Sequence, residues 1–96
     1  MYTIDTTEEV PRFEFEIDGD RYSVELYDRM DVTDAEAIAK RVAAAGDARA
    51  QVNEWAEVIR ELFDRDAHGA VERLNVSQWR GLAMAYMDAC GLTAGE

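Results

Sequence analysis

The chain has 96 residues with 21 acidic and 10 basic side chains, a formal net charge of −11 at pH 7. This length suits one small domain with a limited core, and the charge argues against direct binding to nucleic acid, whose phosphates it would repel. No apolar run approaches the roughly 18 residues of a transmembrane helix, and no signal peptide is recognisable at the start, so neither a membrane role nor export is expected.

The first predicted element is a β-hairpin over residues 12–26. It follows a segment, 1–11, that lacks periodicity and is predicted to be a flexible arm or a short extra strand. Phe13, Phe15 and Ile17 alternate with glutamates, which is the period of a half-buried strand. A two-stranded ribbon is marginal in water, so its apolar face must pack on helices, on another copy or on a partner.

The turn of this hairpin predicts its register. Asp18-Gly19 suits a two-residue type I′ turn, which needs positive φ at both central positions. The strand pairs would be Phe13 with Val24, Phe15 with Tyr22 and Ile17 with Asp20. Opposite charges would pair on the other face, Glu16 with Arg21 and Arg12 with Glu25.

Three helices are predicted after the hairpin, at about 33–45, 47–64 and 76–90. The first begins with the capping box Thr33-Asp34-Ala35-Glu36 and ends with Gly46 in the C′ position. Apolar residues recur at helical spacing in all three helices. These stripes are Ala35, Ile38, Ala39, Val42 and Ala45; Val52, Trp55, Ala56, Ile59, Leu62 and Phe63; and Trp79, Leu82, Ala83, Tyr86, Met87 and Cys90.

The last helix has clear end signals. Asn75 and Ser77 are both good N-cap residues, and Gly91 is a stop signal. The sequence therefore predicts a single α+β domain over 12–91, with an N-terminal β-hairpin packed on a small bundle of about three α-helices. A frayed tail is expected at 92–96.

Catalytic, cofactor and metal sites are not predicted. His68 and Cys90 are the only histidine and the only cysteine, too few for a zinc site, and Cys90 lies on an apolar stripe where we expect it to be buried. Residues 64–75 imitate a calcium loop in their first half, but His68 offers a nitrogen ligand at position five, and Asn75 replaces the bidentate glutamate of position twelve. We predict an acidic turn between helices there, and a protein that is not an enzyme.

A partner-binding surface is predicted from aromatic and methionine side chains, which are enriched in adaptable interfaces. Met84 lies off the main stripe of the last helix, so this helix has apolar surface on a second side. Trp55 and Trp79 are also side chains that a binding face would use, but packing in the core of the domain is the alternative for both. The residues hypothesised to bind a partner are Phe13, Phe15, Tyr22, Trp79, Met84, Tyr86 and Met87.

The order of elements resembles the tail assembly chaperones of long-tailed bacteriophages, particularly those of actinobacterial hosts. The resemblance covers about 12–91 and rests on the acidic hairpin that begins Phe13-Glu14-Phe15-Glu16, the capped last helix with Trp79, and the closing Gly91. It implies a non-catalytic protein that binds the tape-measure protein, helps to recruit tail-tube subunits and leaves before the virion is complete. The expected location is the cytoplasm of the infected bacterial host, and not the mature virion.

Two alternatives stay open. Acidic residues are concentrated in the first third of the chain, as in an inhibitor that imitates DNA and occupies a nuclease or repressor. A structural subunit of the head–tail connector or tail would instead have to form a ring. Self-association as a homo-oligomer is compatible with each of these functions.

Overall fold

The computed structural model describes residues 1–4 and 11–91, and within them it confirms the predicted α+β class. A two-stranded antiparallel hairpin is followed by three α-helices. The elements are β1 (Phe13–Ile17), β2 (Asp20–Val24), a 3₁₀ turn (Tyr27–Arg29), α1 (Val32–Ala43), α2 (Ala48–Asp66), a second 3₁₀ turn (Val71–Arg73) and α3 (Val76–Ala89). The predicted tail at 92–96 and most of the predicted arm lie outside the described residues.

The hairpin has the predicted turn and register. Asp18 and Gly19 both have positive φ, 49° and 89°, as a type I′ turn requires. Phe13 faces Val24, Phe15 faces Tyr22 and Ile17 faces Asp20. On the outer face Glu16 lies opposite Arg21 at an ion-pair distance of 3.7 Å, with both side chains largely exposed.

The apolar face of the hairpin packs on the helices, with Phe63 of α2 at the centre of the contact. Phe63 is fully buried, and its ring centroid lies 5.5 Å from that of Phe15 and 6.1 Å from that of Phe13. From α3, Tyr86 and Trp79 approach the same ring at 5.4 and 5.1 Å. The tilted and edge-on ring geometries favour aromatic contact, so this cluster joins the hairpin to α2 and α3.

The predicted N-cap of α1 is wrong, although the helix begins within one residue of the predicted start. The N-cap is Asp31, whose carboxylate accepts a hydrogen bond from the Thr33 backbone N–H at 3.0 Å, so the helix begins at Val32 and Thr33 lies inside it. Aspartate is among the strongest N-cap residues, and here it acts two positions before the predicted capping box. The helix also ends earlier than predicted, at Ala43, and the chain then turns tightly to Gly46, which has a φ of 98°.

The predicted bounds and burial of α2 need correction. Asp47 is its N-cap, and the helix continues two residues past the predicted end, to Asp66. Val52, predicted to lie in the core, is 67% exposed, whereas Val58 is only 2% exposed. Val58 and Ile38 line one groove between α1 and α2, so α1 covers a side of α2 that the simple stripe did not include.

The bounds of α3 agree with the prediction to within one residue. Asn75 is the N-cap and forms a capping box with Gln78. After the helix, Gly91 has a φ of 73°, which matches its expected role as a stop signal. The apolar stripe faces the core, where Tyr86 and Cys90 are buried and Leu82 and Ala83 are half-buried.

Hydrogen bonds from the helices also fix the end of β2. The Asp66 carboxylate accepts from the Glu25 backbone N–H at 2.9 Å and from Arg12 at 3.3 Å. Arg65 donates to the Glu25 carboxylate at 3.0 Å. The predicted Arg12–Glu25 pair is therefore replaced by pairs to α2, because the strands end before these residues and α2 supplies charged groups of both signs.

Candidate partner-binding surface

One row of side chains runs along the solvent side of α3. Its members are spaced four residues apart and are all exposed: Val76, Arg80, Met84 and Asp88. Val76 is 72% and Met84 62% exposed, large fractions for apolar side chains. We call this row, with its small exposed neighbours Ser77, Gly81 and Ala85, the α3 outer face.

The α3 outer face carries no net charge in a strongly acidic chain. Arg80 and Asp88 are the only charged residues among the 14 of α3, and they cancel. In α2, by contrast, eight of 19 residues are charged. Depletion of charged residues is typical of the core of a protein–protein interface, and α3, which carries the exposed Met84, is depleted in this way relative to α2.

Gly81 lies in the middle of this face. A Cβ built there meets nothing within 4 Å, so no contact within the described residues requires a glycine. An interior helical glycine lowers helix stability by about 0.5–1 kcal/mol relative to alanine. The missing side chain does, however, leave a shallow gap beside Met84 into which another chain could pack.

Four of the hypothesised partner-binding residues lie on the core side of the molecule. Tyr86 has no exposed surface, which corrects its predicted role as a contact residue. Phe13, Phe15 and Tyr22 are half-buried and pack against the core cluster. Their apolar faces are covered by the helices of the same chain, so the hairpin's apolar face is not an open docking surface.

The last three hypothesised residues belong to α3 but differ in exposure. Trp79 is half-buried, with its ring edge-on to Phe63, and Met87 is half-buried against the core. Met84 alone of the three projects away from the core. Of the hypothesised residues on α3, Met84 is therefore the one that the structure leaves exposed, as its position off the main stripe predicted.

Val76, Arg80 and Gly81 were not among the hypothesised residues. For Val76 and Arg80 the sequence did contain a signal, because Val76 lies eight residues and Arg80 four residues before Met84. Residues at that spacing lie on one side of a helix. Gly81 could not be identified in this way, because its open surroundings become visible only in three dimensions.

A groove of about 430 Å³ between α1 and α2 is a second concave feature. Arg41 and Arg65 lie along it, but both pair with carboxylates of this chain. Arg41 forms two hydrogen bonds with Glu61, at 2.8 and 2.6 Å, and contacts Glu54 as well. These bonds lower the pKa of the Glu61 carboxyl. The groove therefore offers no unpaired guanidinium for an anionic ligand. The pairs of Arg41 with Glu54 and Glu61 instead join α1 to α2.

The described residues contain no group of three or more side chains placed to hold a metal ion. The calcium-like stretch is not a loop at its start, since Asp64 and Asp66 both lie within α2. Cys90 is buried as predicted, and burial raises the pKa of its thiol. Within the same part of the chain, no helix has the length and apolarity to span a membrane.

Comparison of the chain with protein-family models, with curated proteins and with solved structures gives no match.

Proposed function

We propose that this protein is a non-catalytic tail assembly chaperone of a long-tailed phage that binds the tape-measure protein through the α3 outer face. The observation that carries the proposal is the exposed row around Met84, which has no net charge because Arg80 and Asp88 cancel, on a chain of net charge −11. The resemblance of the hairpin and the last helix to such chaperones supports the same function. The proposed place of action is the cytoplasm of the infected host.

The binding mode follows from the shape of this face. A single exposed helix with small side chains beside Met84 suits a helix-to-helix contact, in which an apolar stripe of the partner packs along α3. A long tape-measure protein with such stripes would aggregate if they stayed in water. Covering them with α3 removes apolar surface from solvent, and each Å² of apolar surface buried stabilises the complex by about 25 cal/mol.

The acidic remainder of the molecule supports solubility of the complex. Carboxylates on the hairpin, α1 and α2 stay exposed when α3 is covered, and like charge between complexes disfavours aggregation. Because one 14-residue helix offers a limited contact area, the complex is expected to be transient. A transient complex would allow tail-tube subunits to replace the chaperone.

The test is co-expression of this chain with the tape-measure protein of the same phage. We expect the wild-type chain to keep that protein soluble and to co-purify with it, and Val76→Asp and Met84→Asp to lose both effects. Val32→Asp is the matched control for Val76→Asp, since both valines occupy the first position of a helix and are 70% and 72% exposed. Val52→Asp, at 67% exposure, is the control within α2.

A tape-measure protein that stays insoluble with the wild-type chain would refute the proposed function. Loss of binding in the α1 and α2 control variants, with the α3 variants unaffected, would refute the assignment of partner binding to the α3 outer face. A DNA-mimic inhibitor would instead bind a nuclease or repressor in a salt-sensitive way. Many described carboxylates already pair with Arg41, Arg65 and Arg73, which favours the chaperone over the mimic.

A further inference from the structure

We propose that two copies of this chain associate through their α3 outer faces, with the helices antiparallel and the two-fold axis passing beside Met84. The inference concerns the free protein and does not depend on a phage partner. It rests on the arrangement of charge along α3, which is symmetric in position and opposite in sign about Met84.

Arg80 and Asp88 carry the argument. Each lies four residues from Met84, on opposite sides of it, and both are exposed. Within the described part of the chain, neither forms an ion pair. An antiparallel pair centred on Met84 brings each Arg80 opposite Asp88 of the second copy, so the contact forms two ion pairs and leaves neither charge unpaired. Self-complementarity of this kind is what a two-fold interface requires.

The charges also select the direction of packing. In a parallel pair Arg80 would face Arg80 and Asp88 would face Asp88, and like charges in contact are unfavourable. Only the antiparallel arrangement converts both residues from repelling to attracting groups. The same face has no net charge of its own, so the strongly acidic surfaces of the two copies can stay apart while α3 makes contact.

The small residues of the face provide room for the contact. Gly81 leaves open space beside Met84, and the exposed Ala85 adds only a methyl group. With the helices crossing near Met84, the Met84 side chain of each copy can enter the gap at Gly81 of the other. This contact would give Gly81, which has no packing role within the described residues, a role between copies.

The strength of the association follows from its size. A helix of 14 residues is about 21 Å long, and one face of it buries less than the roughly 800 Å² per partner of a standard stable interface. The dimer is therefore weak, forms with increasing protein concentration, and leaves α3 available when a tighter partner is present.

Sedimentation equilibrium and native mass spectrometry of the purified chain test this arrangement. We expect a monomer–dimer equilibrium for the wild type and about a tenfold higher dissociation constant for Arg80→Asp and for Asp88→Arg, since each change places like charges opposite each other twice. Mixing these two variants should restore association, because the heterodimer regains both attractive pairs. The double variant R80D/D88R should also regain the wild-type equilibrium.

Circular dichroism checks that each variant keeps its helices, and Met84→Asp, which removes the central contact, should be monomeric. A wild-type chain that stays monomeric at the highest soluble concentration overturns the inference. So does a mixture of the two charge variants that associates no more than either alone. No tape-measure protein is present, so the proposed chaperone function and this inference can fail independently.

Discussion

Asp66 at the end of α2 is predicted to hold the hairpin to the helices. Its carboxylate accepts hydrogen bonds from the Glu25 backbone N–H at 2.9 Å, from Arg65 at 2.7 Å and from Arg12 at 3.3 Å. The side chain is only 12% exposed. Replacing Asp66 by alanine removes the bonds from all three donor residues and leaves the Glu25 N–H without its partner. Replacing it by asparagine keeps an acceptor for that N–H but removes the charge.

The size of the effect follows from these bonds. A partly buried donor left unsatisfied costs about 1–3 kcal/mol, and a hydrogen bond to a charged group contributes about 1.5–3 kcal/mol. We expect Asp66→Ala to lower the free energy of unfolding by about 2–3 kcal/mol, and Asp66→Asn by about 1 kcal/mol. For a domain of 96 residues the total is about 5–14 kcal/mol, and each kcal/mol lowers the Tm by about 4–8 °C.

The contribution of Asp66 depends on pH. The hydrogen bond from Arg65, with smaller contributions from the Glu25 N–H and Arg12, lowers the pKa of the Asp66 carboxyl below its ordinary value. A depressed pKa in the folded state means that the stabilisation is complete above the unfolded pKa of about 3.9 and is lost as the pH falls through the folded value. The difference between wild type and Asp66→Asn should therefore shrink below about pH 4.

Urea unfolding followed by circular dichroism, at neutral pH and at about pH 3, measures both effects. Asp64→Ala is the matched control: it lies one half-turn away on α2, is 49% exposed and pairs with Arg60 four residues before it. An exposed pair of this kind contributes about 0.3–0.5 kcal/mol. If Asp66→Ala were no more destabilising than Asp64→Ala, the carboxylate would not hold the hairpin, and the reasoning would be refuted.

Two further stability predictions concern α3. Tyr86→Phe removes the hydroxyl that donates to the Glu25 carbonyl at 2.7 Å and should lower the free energy of unfolding by about 1–2 kcal/mol; an unchanged urea midpoint would show that water replaces this bond at no cost. Gly81→Ala should raise the stability of the dilute monomer by about 0.5–1 kcal/mol, since a Cβ there meets nothing within 4 Å; a lower Tm would contradict the open surroundings of Gly81.

The hairpin was predictable because several local signals agree. The Asp18-Gly19 turn, the alternation of apolar residues and the Glu16–Arg21 pair all specify the same register. A slip by one residue would have reversed the apolar face. The cap at Asn75 was also readable, since a side chain that bonds two or three residues ahead acts within one turn of helix.

The contacts between elements could not be predicted in the same way. That Asp66 reaches the Glu25 N–H depends on how α2 crosses the end of β2, over 41 residues of sequence. That Val58 is buried and Val52 is exposed depends on which side of α2 is covered by α1. A helical stripe gives the direction of the apolar face but not which neighbour covers which part of it.

The exposed face of α3 was predictable only in part. The position of Met84 off the main stripe indicated a second apolar side on α3, and the structure places Met84 on that exposed side. The aromatic residues hypothesised to bind a partner pack in or against the core instead. The features that make tyrosine and phenylalanine good interface residues also make them good core residues. In this small domain Phe13, Phe15 and Tyr86 are needed to build the core.

The most direct test of the α3 outer face is a methyl NMR titration of the chain with ¹³C-labelled methionine ε-methyl groups. The four methionines sample four environments: Met84 on the α3 outer face, Met87 half-buried on the same helix, Met30 in the core and Met1 at the N-terminal end. On addition of the soluble tape-measure segment we predict that the Met84 signal shifts most and the Met30 signal stays in place. A bound complex in which the Met84 signal does not move would contradict the account.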